Sequence, residues 1–130
     1  MTGVGSYLPK NKYSNEDLSK FVNTSDDWIT KRSGIKFRHY VSKHETTSDM
    51  AVNAALNAFK NAKIKKEDID LIIVATTTPD NTFPATATLV QKKIGIHAVS
   101  FDVQAVSAGL VFALSVTKSM LVDNYYRNYL

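Results

Sequence analysis

The chain has 130 residues, 44% of them hydrophobic and 22% charged, with a formal net charge of +4 and no cysteine. That length suffices for one domain with a real core, the composition is that of a globular protein, and the lack of thiols excludes disulfides, a thiolate nucleophile and thiolate-bound metal. No apolar run approaches the roughly 18 residues of a membrane span, and the start of the chain lacks the basic-then-apolar order of a secretory signal, so the expected setting is the cytoplasm.

Met1–Gly5 reads as the tail of a strand. Ser14-Asn15-Glu16-Asp17 opens a short helix to about Val22, with Ser14 as cap and Asp17 as the reciprocal acid. Thr24-Ser25-Asp26-Asp27 opens a second, running to Arg32 or Ser33, and Gly34 supplies a left-handed stop. Ile35–Ser42 reads as a strand or extended arm. Thr46, Thr47 or Ser48 caps a third helix, in which Met50, Ala51, Ala54, Ala55, Ala58, Phe59 and Ala62 form one apolar face at helical spacing. Leu71–Ala75 is short, continuous and β-branched, which predicts a strand buried on both sides, as in a parallel sheet covered by helices. Thr76–Phe83 is a loop, Pro84 sits at a helix start and Gly95 follows its end.

The stretch Val99–Ala113 then changes from strand to helix chemistry. Val99, Phe101, Val103 and Ala105 alternate with Ser100, Asp102 and Gln104, the period-2 pattern of a strand over Val99–Val106. Ala108–Leu114, followed by Ser115–Val122, is apolar and long enough for a buried helix. Ser107 stands at the change. A hydroxyl there faces the open amides and partial positive charge of a helix N-terminus, the place for a nucleophile and equally for an N-cap serine. Asp102, among apolar neighbours, is expected to accept backbone or hydroxyl hydrogen bonds, because a buried carboxylate must be paired.

Strands separated by helices predict an α/β fold, with the loops after two strands opening on the carboxyl edge of the sheet, where such sheets bind ligands. Asn124–Leu130 reads as a turn entering a further strand. An uncovered sheet edge and apolar face at both ends lead us to expect part of a larger protein, or one completed by partners. Lys and Arg cluster at 31–38, 60–66 and 92–93; basic surface draws phosphates or acidic proteins, and is also what a solvated face looks like. With no zinc-finger spacing, aromatic RNA-binding signature or basic helix, nucleic acid is not an expected partner.

Four segments, GSYLP (Gly5–Pro9), NTSDDWITKRSGIKFRH (Asn23–His39), DLIIVATTTPDNTFP (Asp70–Pro84) and FDVQAVSAGLVFAL (Phe101–Leu114), follow one another as in the β-ketoacyl-acyl-carrier-protein synthases III. The chain thus resembles the N-terminal part of that family, one of the thiolase-fold condensing enzymes. The resemblance implies a thiolase-like α/β fold, here its N-terminal half, with an incomplete mixed sheet covered by helices, and a single truncated domain over residues 1–130. It further implies condensation of acetyl-CoA, or another short acyl-CoA, with malonyl-acyl carrier protein at the start of fatty acid synthesis, by a homodimer. Acyl-CoA would be a substrate, with no resident cofactor and no metal.

In that family a cysteine at a buried helix N-terminus takes the acyl group, and a histidine and an asparagine from the C-terminal half assist decarboxylation. A thiol pKa of about 8.5 falls at a helix N-terminus and gives thiolate near neutral pH, and the thioester passes the acyl group on. Here the position is Ser107. Its hydroxyl does not ionise without a strong base, and an ester is the poorer donor, so the chain is expected to be inactive in condensation. The resemblance makes Trp28 the residue that stacks on the CoA adenine, with a helix-face core anchor as the alternative, Arg32 the contact to the nucleotide's other side and phosphates, with a surface ion pair as the alternative, and Thr24 a further adenine contact or an N-cap. Phe83 corresponds to the phenylalanine that crosses the dimer interface to line the partner's acyl pocket, with loop packing beside Pro84 as the alternative. The strand Val99–Val106 would pair with its twin. His39, His44 and His97 are expected on the surface or in loops. The rival readings are a CoA- or carrier-protein-binding module and an oligomerising remnant.

Overall fold

The computed structural model describes residues 2–122 and residue 130. It divides into two compact units, Leu8–Glu45 and Met1–Tyr7 with Thr46–Leu130.

The smaller unit is built from β1 (Asn11–Ser14), α1 (Asn15–Ser19), α2 (Asp26–Ser33) and β2 (Phe37–Tyr40). Ser14 and Asp17 form the expected reciprocal cap of α1. The helix stops at Ser19 rather than near Val22: the Phe21 and Val22 amides both turn back to the Leu18 carbonyl, and both side chains stay exposed, so no burial sustains another turn. Ser25 caps α2, and Gly34 ends it at φ 70°, as the sequence requires. β1 and β2 pair antiparallel from Asn11 opposite Tyr40 to Ser14 opposite Phe37. Asn15 ties the unit together. It is buried; its amide nitrogen donates to Asp26 Oδ1 at 2.7 Å and to the Ile35 carbonyl at 2.9 Å, and its oxygen accepts from Arg38. One side chain so links α1, α2, the turn after it and β2.

The larger unit contains α3 (Thr47–Ala62), β3 (Leu71–Ala75), α4 (Thr86–Ile94), β4 (Val99–Val103) and α5 (Gly109–Val122). Thr46 and Asp49 form the capping box of α3. β3 and β4 are parallel, in register from Leu71–Val99 to Ala75–Val103. The core joins Ala55 and Phe59 of α3 to Ile72 of β3 and to Ala87, Val90 and Ile94 of α4, with Ile69 and Ile96 beside them. Leu71 and Ile72 are fully enclosed, while Ala75, at the carboxyl end of β3, is exposed. Parallel and antiparallel pairing are both present, in two separate two-stranded sheets.

Three further local expectations are adjusted. Pro84 stands two residues ahead of α4, whose cap position is Ala85. β4 ends at Val103, because Val106 takes a left-handed conformation (φ 46°) and residues 106–108 form a 3₁₀ turn. Residues 2–9 form no strand; Gly3 and Gly5 lie against α3 instead, where Asn57 Nδ2 donates to the Ser6 carbonyl at 2.9 Å and Asn61 accepts from the Val4 amide at 3.3 Å. A Cβ on Gly5 would overlap the backbone of Ala54 and Ala58. The strand expected over Asn124–Leu130 lies outside the described residues except for Leu130. Its amide donates to the Leu71 carbonyl at 2.8 Å and its carbonyl accepts from the Ile73 amide at 3.0 Å, the hydrogen-bond pattern of a parallel bridge opposite Ile72.

Candidate functional site

The junction of β4 with α5 is shaped by small residues and one strained one. Gly109, the first residue of α5, is buried; a Cβ there would come within 3.2 Å of Ala75 Cβ, so glycine lets the helix start directly over the end of β3. Val106 is β-branched at positive φ, where such a side chain crowds its own backbone. This bend leaves Ser107 exposed in the 3₁₀ turn just ahead of α5. Its hydroxyl has no hydrogen-bond partner among the described residues, so Ser107 is not a capping serine. α5 buries only Gly109, Ala113 and Thr117, a narrow stripe at four-residue spacing, and leaves Leu110, Val111 and Phe112 exposed.

Asp102, one residue before the end of β4, caps a different helix. Its carboxylate oxygens accept from the Thr86 amide at 2.7 Å and the Ala87 amide at 2.8 Å. These are first-turn amides of α4, where Ala85 has no side chain to offer. The expected role of Asp102 as an acceptor is met by these two bonds.

Between β3 and α4 runs the loop that bears Phe83, which is 89% exposed and so does not pack within the chain beside Pro84. Asp80 fastens the loop: Oδ1 accepts from the Ser48 amide at 2.9 Å, Oδ2 accepts from the Ser48 hydroxyl, and its own amide donates to Thr86 Oγ1 at 3.2 Å. Burial raises the Asp80 pKa, but the two bonds from Ser48, together with Thr46 and the Lys93 charge, leave the carboxyl below its ordinary value. Lys93, on α4, donates to Ser48 Oγ at 2.7 Å and to Asp49 Oδ1 at 2.6 Å. In sequence, Lys93 shows only as half of a basic pair and Asp80, after a proline, as turn chemistry; nothing local announces a partner on another helix.

In the smaller unit Trp28 meets Arg32 on one side and shares a hollow with Thr24. Trp28 and Arg32 are four residues apart on α2, on one face. The Arg32 guanidinium lies 4.2 Å from the indole centroid, too close to admit a ring between them. The indole remains 54% exposed. Thr24 lines a hollow of about 400 Å³ with Val22, Asn23, Ser25 and Trp28. Thr24 does not cap α2: Ser25 Oγ accepts from the Trp28 amide at 3.1 Å. Asp27 is engaged by Lys31 at 2.8 Å. Asp26 is lowered by the Asn15 amide, against a rise from burial, with Thr30 adding to the lowering. Among the described residues Arg32 has no carboxylate partner.

His44 and His97 are exposed, whereas His39 lies half-buried in β2 with Nδ1 against the Pro9 carbonyl. Among the described residues no group of three or more His, Asp or Glu could hold a metal ion, and no helix is long and apolar enough to cross a membrane.

Compared with known proteins, the chain is 52% identical over 130 residues to the β-ketoacyl-acyl-carrier-protein synthase III of Neisseria gonorrhoeae, a match covering 98% of this chain and 41% of that protein. The synthase III of Ehrlichia canis is 53% identical over 129 residues, covering 98% of this chain and 40% of that protein. Among solved structures, the 3-oxoacyl-acyl-carrier-protein synthase III of Aquifex aeolicus superposes with a TM-score of 0.91 at 43% identity, over 98% of this chain and 42% of that one. The Thermus thermophilus enzyme gives 0.88 at 35% identity, over 98% of this chain and 40% of that one. No protein-family model matches. The chain spans about two-fifths of the length of the curated relatives it matches. It resembles the N-terminal part of these synthases throughout, and its fold is α/β and thiolase-like.

Proposed function

We propose that this chain, similar along its length to the N-terminal part of β-ketoacyl-acyl-carrier-protein synthases III, holds the nucleotide end of an acyl-CoA and forms a homodimer but does not itself catalyse condensation. The full reaction of the family, acetyl-CoA or another short acyl-CoA with malonyl-acyl carrier protein in cytoplasmic fatty acid synthesis, is the setting from which these roles come. CoA is a substrate in this scheme, not a resident cofactor.

The observation that carries the reading is the Trp28–Arg32 stack beside the hollow at Thr24. An exposed indole offers a flat face to adenine. A guanidinium without a carboxylate partner is ready for phosphate, and its planar fork pairs two oxygens at once. Thr24 borders the same hollow with a hydroxyl at hand. On the other unit, Ser107 occupies the nucleophile's position, exposed at the entrance to α5, but no described side chain is bonded to it as a base. A neutral hydroxyl without a base is a weak nucleophile. The outer edge of β4, the exposed face of α5 and Phe83 give a second copy an apolar surface to cover.

Trp28 is the single tryptophan, so its emission reports binding directly. Titration with CoA should quench it saturably, and Arg32→Ala should weaken binding about tenfold, the equivalent of one good charge-assisted contact. Emission unchanged up to millimolar CoA overturns the binding reading. Incubation with labelled acetyl-CoA should leave the chain unlabelled; robust acylation that disappears in Ser107→Ala overturns the inactivity.

A further inference from the structure

We propose that Asp80 is a positioning residue that presents Phe83 as a pre-ordered anchor for the partner copy. This rests on the dimer reading above and names what makes that contact possible.

Phe83 stands on an exposed loop, where an aromatic would ordinarily be free to move. Fixing such a side chain and its backbone on association is costly. Here the loop backbone that bears it is held in the free chain. Asp80, three residues before Phe83, is bound on both sides of its carboxylate by Ser48 at the start of α3, and through its amide by Thr86 at the start of α4. Both hydroxyl partners are fully buried. Earlier in the loop, Thr47 Oγ1 donates to the Thr78 carbonyl at 2.7 Å. The direction of the chain of bonds is determined by Lys93. An ammonium only donates, so Ser48 Oγ accepts from it at 2.7 Å and has its own proton left for Asp80. Lys93 is itself held by Asp49 at 2.6 Å. α4 takes part at both ends, with Asp102 fixing its first turn and Lys93 reaching back from its last. The loop is thus anchored to two helices, with Phe83 projecting away from the anchor at 89% exposure. An exposed aromatic on a fixed loop is the form that interface anchors take.

The test is a double-mutant cycle on the full chain, read as the dimer dissociation constant by sedimentation equilibrium, with order parameters of the Thr82 and Phe83 amides beside it. Phe83→Ala should raise the constant at least tenfold. Asp80→Ala should raise it about fivefold and lower the order parameters at Thr82 and Phe83. In the Phe83→Ala background, Asp80→Ala should add less than twofold, because it acts only through Phe83. If Asp80→Ala fails to fold, Asp80→Asn, which keeps one acceptor for Ser48, should show a smaller effect with the same background dependence. An equal effect in both backgrounds makes Asp80 a general scaffold residue and overturns the inference, as do unchanged order parameters at Thr82 and Phe83. A monomeric parent chain, or a constant indifferent to Phe83→Ala, overturns the dimer reading and the inference with it.

Discussion

Replacing Asp102 with alanine should destabilise the larger unit severely, through a helix in which it does not reside. Its carboxylate accepts the Thr86 and Ala87 amides at 2.7 and 2.8 Å. Both residues are fully enclosed, so water cannot take over when the acceptor is removed. Each buried donor left unsatisfied costs about 1–3 kcal/mol, and the two together about 4 kcal/mol. Ala85 at the cap position can supply nothing in exchange. With an m-value of about 2 kcal/mol/M, the urea midpoint should fall by about 2 M. Asp102→Asn keeps one acceptor oxygen and should lose about half as much, and hydrogen exchange should accelerate first at Thr86 and Ala87. A loss below about 1 kcal/mol for alanine, with exchange at those amides unchanged, would refute the idea that a side chain on β4 terminates α4.

Two further outcomes follow from strain and charge. Val106→Gly should raise stability: a non-glycine residue held at positive φ costs about 1–3 kcal/mol, against about 0.5–1 kcal/mol for the added chain freedom of glycine. The net gain of about 1 kcal/mol should lift the melting temperature by a few degrees in calorimetry, and a lower one contradicts the strain at φ 46°. Asp49 is held at a pKa of about 2, first by the Lys93 ammonium 2.6 Å away and then by the Thr46 amide and hydroxyl. A carboxyl depressed in the folded state stabilises it fully above the ordinary value near 4 and loses that contribution as the pH falls towards 2. The pair is about a third exposed, so water screening leaves on the order of 1 kcal/mol. Asp49→Asn should make stability against pH shallower between about 4 and 2, not flat, since Asp17, Asp26 and Asp80 are lowered as well. A slope as steep as the parent's rules out the Asp49 contribution.

What the sequence discloses about this fold is whatever a few neighbouring residues decide among themselves. Ser14 and Asp17 are three residues apart, so their capping box is legible, whereas the start of α3 offers Thr46, Thr47 and Ser48 and only the structure selects Thr46, with Asp49. Gly34 and Gly95 stop helices because only a residue without a Cβ takes that conformation easily, and Leu71–Ala75 needs only its own side chains to read as a buried strand. Thr24 and Ser25 show where such reading stops. Either could cap α2, and only the course of the backbone selects Ser25. Ser107 likewise has the chemistry of a cap, but the left-handed Val106 turns it away from that duty, and a β-branched residue gives no warning of such a conformation. Within each unit, the partners of the residues that brace the loops and helix starts are hidden for a further reason. Asp102 serves amides 15 and 16 residues earlier, and Asp80 a serine 32 residues earlier. Asn15 joins elements up to 23 residues away. Asp102 can be read as an acceptor, but its partners, like those of Asp80 and Asn15, show only when the fold brings them near. That a hydroxyl, Ser107, stands just ahead of a helix can therefore be read from sequence. The framework that aims the exposed side chains around it becomes visible only when residues remote along the chain share one buried carboxylate or amide.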